Sequence, residues 1–166
     1  MRFFTAYVTG AVLESERAHV ISPVTRVSDL IEKAGGFQVA KQPTARRSVK
    51  ILHQDGSVEE VDLAMFLSTG DIRQNPYVRM GDVVHVGFRK HQIFVYGTVN
   101  AEGAQEFRAG DTVGDLLRLA QGVAGSAPLA HAEIWRFVAG TDSKPKRSGD
   151  TSNKIGLHAR GDDDGV

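Results

Sequence analysis

The chain has 166 residues with 20 basic and 20 acidic side chains, so its formal charge is zero and no global field draws it to nucleic acid or an anionic membrane surface. Cysteine is absent, which excludes disulfides, thiolate nucleophiles and Cys-ligated metals. With 41% apolar residues the chain can bury one modest core or two small ones, and no apolar run reaches the about twenty residues of a membrane-crossing helix.

The sequence states one pattern twice. Ala6 to Gly36 reappears as Ile93 to Gly122, with Gly10 falling on Gly97, Val27 on Val113, Asp29 on Asp115 and Leu30 on Leu116. A period this long exceeds solenoid repeats and suits two copies of one small domain. In the first copy Phe4 to Val12 is rich in β-branched and aromatic residues and reads as a strand, with Gly10 placed for a bulge or a close backbone approach. The polar turn ESER leads to a returning strand at His19 to Ile21. Val27, Leu30, Ile31 and Ala34 then fall at i, i+3, i+4 and i+7, a helix with one apolar stripe. Arg26 holds the N-cap position, which leaves Thr25 or Ser28 to cap, while the Gly35 and Gly36 pair suits the helix end.

Val49 to His53 reads as a third strand, and Asp55 with Gly56 turns it into Val58 to Leu63. Leu63 to Leu67 predicts a short helical turn, Asn75 and Pro76 break it, and the Gly81 and Asp82 turn launches Val83 to Phe88. The second copy follows the same plan, with strands at Ile93 to Val99 and Ala104 to Phe107 and a helix carrying Val113, Leu116, Leu117 and Ala120. Thr112 is its N-cap and Asp115 the acid three residues on, with a third strand at Ala132 to Val138. The text then turns polar, TDSKPKRSGDTSNKIGLHAR, so the second copy reads as incomplete, lacking its last strand, with 140–166 expected to be flexible. A hairpin, a helix packed across it and further strands make an α+β fold of the β-grasp (ubiquitin-like) plan, repeated in tandem over 1–90 and 91–166.

The motifs VTGAV and VYGTV, the helix stripes ending AGG and AQG, the segment VDLAMFLSTGD and the closing NPYVRMGDVVHV together resemble the soluble ligand-binding β-grasp (SLBB) domains found in tandem in outer-membrane polysaccharide export proteins. The likeness covers Tyr7 to Val86 in the first copy and Phe94 to Gly122, weakly to Arg136, in the second. It implies a periplasmic part of a capsule or exopolysaccharide export machine, associated with the outer membrane through other parts or partners. In that role the chain would form homo-oligomers, contact other subunits of the complex and hold polysaccharide weakly. Export proteins of this family carry an amino-terminal export domain ahead of the first copy, whereas Met1 leads straight into FFTAYV without a secretory signal pattern. The expectation is a mature segment or a piece of something longer that does not transport by itself. The alternatives are a structural protein–protein interaction module, or a small-ligand domain of another complex that never touches sugar.

Neither catalysis nor a cofactor is expected. No nucleophile elbow, phosphate loop or HExxH helix is present, and the six histidines fall at no metal-like spacing. Asp162 to Asp164 lack the interleaved ligands of a calcium loop. For sugar contact the candidates are Trp135, with Phe137 and Glu133 on the same strand face by alternation, an aromatic surface beside a carboxylate. The other use of that face is a domain interface or a second small core. Arg46, Arg47 and Lys50 are candidates for an acidic polymer through charged hydrogen bonds, or else a solvated strand entry. Tyr7 and Tyr96 sit among apolar neighbours and are expected to pack.

Overall fold

The computed structural model describes residues 4–39, 42–125, 131–135 and 153–158; Phe137 and most of the polar tail lie outside them. The chain divides into two compact units, Met1–Lys90 and His91–Val166.

In the first unit, strands β1 (Phe4–Gly10) and β2 (Arg17–Ile21) form an antiparallel hairpin and helix α1 (Val27–Lys33) follows. Strands β3 (Val49–Leu52) and β4 (Val58–Val61), helix α2 (Leu63–Thr69), a 3-10 turn at Ile72–Gln74 and strand β5 (Val83–Val86) complete it. The five strands lie in the order β2-β1-β5-β3-β4, with β5 parallel to β1 and antiparallel to β3. One helix on a mixed sheet is a β-grasp-like α+β arrangement. Period-two alternation turns Ala6 and Val8 of β1 inward, both fully buried, and Thr5 and Tyr7 outward. The whole α1 stripe, Val27, Leu30, Ile31 and Ala34, is buried in one cluster with Val8, Val49, Ile51, Val84 and Val86. Each such Val, Leu or Ile contributes about 1.5–3 kcal/mol by leaving water.

Gly10 has φ +92°, and a Cβ there would overlap the Val86 carbonyl oxygen, which accepts a 2.8 Å hydrogen bond from the Ala11 N–H. Its repeat partner Gly97 has φ +105°. Only glycine adopts this backbone and allows the first strand to close on its parallel neighbour.

The cap of α1 differs from expectation. Thr25 turns its hydroxyl back to the Ser22 N–H at 3.0 Å, and Ser28 is capped rather than capping: Asn75 Oδ1 accepts the Ser28 N–H at 3.0 Å. The Asn75 amide also donates to Ser28 Oγ at 2.7 Å, and the Pro76 carbonyl accepts the Val27 N–H at 3.1 Å. A segment about fifty residues downstream thus satisfies the helix start that Arg26 cannot, since arginine has no acceptor. Asp29 supplies the other half, accepting the Arg26 N–H at 2.9 Å.

The second unit contains β6 (Gln92–Gly97), β7 (Gly103–Glu106), α3 (Val113–Leu119), β8 (His131–Trp135) and β9 (Asn153–His158). Its strand order is β7-β6-β9-β8, with β9 parallel to β6 and antiparallel to β8, the same neighbours and senses as β2-β1-β5-β3. The polar tail therefore does supply a last strand. Its sequence signal is slight because only Ile155 and Leu157 alternate and Gly156 interrupts them, yet a central slot between two strands recruits backbone largely through its ladder. In α3 the buried residues are Leu116, Leu119 and Ala120, while Val113 and Leu117 are half-buried, so the helix is turned slightly from the expected stripe. Thr112 caps it as expected: its hydroxyl accepts the Asp115 N–H at 3.2 Å and its own N–H donates to Asp115 Oδ2 at 2.9 Å.

Asn75→Ala leaves the Ser28 N–H at the start of α1 without its partner, and urea unfolding should show the first unit weakened by about 1–2 kcal/mol with an unchanged m-value. In the second unit the Thr112 hydroxyl and N–H, then Arg118, hold the Asp115 carboxyl below its ordinary value. A depressed folded-state pKa stabilises above the unfolded value and is lost as pH falls through the folded one. Carbon-detected NMR should therefore find Asp115 titrating below the usual carboxylate range, and Thr112→Ala should move it upward and lessen the acid sensitivity of α3.

Candidate functional site

The cationic trio separates. Arg47 is 3% exposed, and its Nε donates to Asp62 Oδ2 at 2.8 Å, while Asp62 Oδ1 caps α2 by accepting the Met65 N–H at 2.8 Å. A guanidinium committed to a buried carboxylate is a structural strut, so Arg47 is withdrawn as a polymer contact. Its neighbour Arg46 is exposed with its guanidinium 4.9 Å from the Phe37 ring centroid. Lys50 is exposed on β3, opposite His85 on one side and Glu60 on the other.

Of the second-unit candidates, position 135 closes β8 opposite Lys154, which lies opposite Phe94; position 133 lies opposite Gly156, itself opposite Tyr96. Trp135 and Glu133 therefore occupy the rows of Phe94 and Tyr96, and Phe137 lies outside the described residues. Phe94 and Tyr96 hold their rings parallel, 2° apart in plane and 6.0 Å between centroids. Contrary to expectation, Tyr96 does not pack inward, and neither does Tyr7; each is 43% exposed. Alternation decides this, because Val95 and Val8 take the core side of their strands and leave the adjacent tyrosine outside.

Tyr7 belongs to a continuous line. Across the five strands of the first sheet, Ala18, Tyr7, Val83, Leu52 and Val58 stand directly opposite one another in register. All lie on the face away from α1, with Leu52 40% and Val58 59% exposed. At about 4.8 Å per strand the row runs about 19 Å. Beside it runs a polar row, Thr9, His85, Lys50 and Glu60, in which Thr9 Oγ1 and His85 Nδ1 are 3.0 Å apart. Thr5, opposite Val20, bounds the other side.

The NPYVRMGD segment supports this face from beneath. Asp82 is 1% exposed; its Oδ2 accepts the Arg79 N–H at 2.8 Å, its Oδ1 meets His53 Nδ1 at 2.9 Å, and its carbonyl accepts the Tyr7 N–H at 2.9 Å. At the other end Arg26 lies over the exposed Tyr77 ring, 4.0 Å from its centroid, and donates to the Asn75 carbonyl at 2.7 Å. Sequence reasoning assigns Gly81 and Asp82 to a turn, and Asp82 adds to the turn contact with the Arg79 N–H a side-chain pair with His53. It misses Tyr7, whose signal is the placement of an aromatic at matching positions, Tyr7 and Phe94, three residues before Gly10 and Gly97.

Residues 5–62 match the family model of the SLBB domain. The first unit contains an SLBB domain. The match runs from β1 to the end of β4, so β1, β2, β3 and β4 of the exposed face fall within the matched span, and β5 completes the sheet beyond it. An SLBB domain is a soluble ligand-binding domain of a kind found in polysaccharide export proteins. Among the described residues no helix is long and apolar enough to cross a membrane, which says nothing of β-barrels, and no three His, Asp or Glu side chains stand together as a metal set.

Removing one partner of the buried pair is costly while the exposed cations carry little. Arg47→Ala should lower stability by about 3–5 kcal/mol in urea unfolding, whereas Lys50→Ala should change it by less than about 0.5 kcal/mol.

Proposed function

We propose that this chain is a non-catalytic binding and assembly module of a polysaccharide export machine, periplasmic and joined to the outer membrane through other parts of its complex. The observation that carries the reading is the SLBB match over residues 5–62, on a unit whose sheet offers an uncovered aromatic-bearing face. The second unit repeats the strand order and places Phe94 where the first places Tyr7, which supports reading it as a second domain of the same kind. Weak contact suits the task, since a polymer in transit must be held and then released. The balanced charge of 20 basic and 20 acidic residues supports a surface that does not trap polyanions.

A second reading, an interaction module without sugar contact, draws on the sheet edges. β2 and β4 each have one neighbour in the sheet, and an unpaired edge accepts a strand from another chain. The acidic pair Glu59 and Glu60 on β4 guards that edge against indiscriminate pairing.

Deletion of the gene in its host tests the export reading. The export reading expects surface polysaccharide to fall while polymer synthesis continues and product accumulates inside the envelope, with restoration by the full open reading frame. Undiminished surface polysaccharide in the deletion strain overturns it.

A further inference from the structure

We propose that the outer face of the first sheet is a binding face for an uncharged saccharide chain that lies across the strands along the row Ala18, Tyr7, Val83, Leu52 and Val58. The inference rests on the export reading above and goes beyond it by naming the face and the charge class of the polymer.

The shape of the row selects its occupant. It spans five strands, is widened at β2 by the exposed Val20 beside Ala18, and with a two-residue repeat of about 6.8 Å along the strand the row itself has a footprint on the order of 130 Å². A specific protein interface needs about 800 Å² from each partner. A long, narrow apolar strip with hydrogen-bonding groups along its side matches instead a chain of pyranose rings. Their C–H faces are apolar, and their hydroxyls project at the rim. Tyr7 gives the ring surface on which such a face stacks. Thr9, His85, Lys50 and Glu60, in the adjoining row, offer a hydroxyl, an imidazole, an ammonium and a carboxylate to the hydroxyls.

Charge argues for a neutral polymer. Lys50 stands directly opposite Glu60, so the one lysine of the polar row is matched by a carboxylate. Arg47, which would have added a second cation, is buried against Asp62. A uronic acid polymer would meet Glu60 at the row's end with no surplus of positive charge along the way.

The test is a backbone-amide NMR titration of the whole chain with a neutral β-linked glucose hexamer and, in parallel, a hexuronate of equal length. The expected result is shifts from the neutral hexamer concentrated in β1, β3 and β5. Tyr7→Ala, which retains a folded spectrum, should weaken binding about fivefold to tenfold, and Lys50→Met should leave the fold intact while lowering affinity less. Shifts confined to the second unit overturn the assignment of this face while leaving the export reading standing. A hexuronate that binds this face more tightly than the neutral chain overturns the charge class. Concentration-dependent shifts of the same amides without sugar identify a second copy of the chain as the occupant and overturn the proposal, as does silence with both sugars. The deletion phenotype reads the export role independently of all of these.

Discussion

The side chain of Asn75 holds the first unit together. It occupies the N-terminal end of α1 from a distance of 47 residues in sequence, and everything between Asn75 and β5 is positioned by that attachment. With Asn75 fixed, Pro76 reaches Val27, Val78 enters the core with its N–H on the Thr25 carbonyl, and Gly81 meets Thr5. The chain then enters β5 between β1 and β3 in the register that sets Val83 beside Tyr7 and Leu52. A helix cap, worth about 1 kcal/mol by itself, here fastens the segment that leads into a central strand, whose ladders to β1 and β3 fix its register.

The two units meet the same requirement by different means. In the second, Thr112 and Asp115 form a local capping box at the start of α3. In the first, Arg26 replaces the threonine, and its guanidinium is used instead on the Asn75 carbonyl and the Tyr77 ring. A buried polar side chain such as Asn75, 1% exposed, is tolerable because each of its hydrogen-bonding groups has a partner.

Period and turn chemistry made most of the first unit legible. The α1 stripe, the Asp55 and Gly56 turn and the alternation of β1 each follow from local residue types, and the structure places them close to the expected bounds. What stayed hidden depended on contacts across the chain. Nothing local to Arg47 distinguishes it from Arg46, yet one is buried on Asp62 and the other lies by Phe37 at the surface, because β3 begins two residues later and fixes which of them turns inward. Asn75 and Pro76 read as a helix breaker, which they are, but the capping partner lies too far away for any local pattern. Tyr7 reads as inward from its apolar neighbours, although the same alternation that buries Ala6 and Val8 leaves it outside.

In each sheet the parallel ladder joins the unit's first strand to its last, β1 to β5 and β6 to β9. Thr9 and His85, which meet across the first of these, are 76 residues apart. At about 5–20 residues per second a ribosome needs about 4 to 15 s to make that stretch. Throughout that interval β1 has β2 on one side and an open edge on the other, with the inward Ala6 and Val8 still waiting for Val84 and Val86. The sheet closes from its middle only when its last strand emerges, so the buried side of β1 is the last part of the core to be covered.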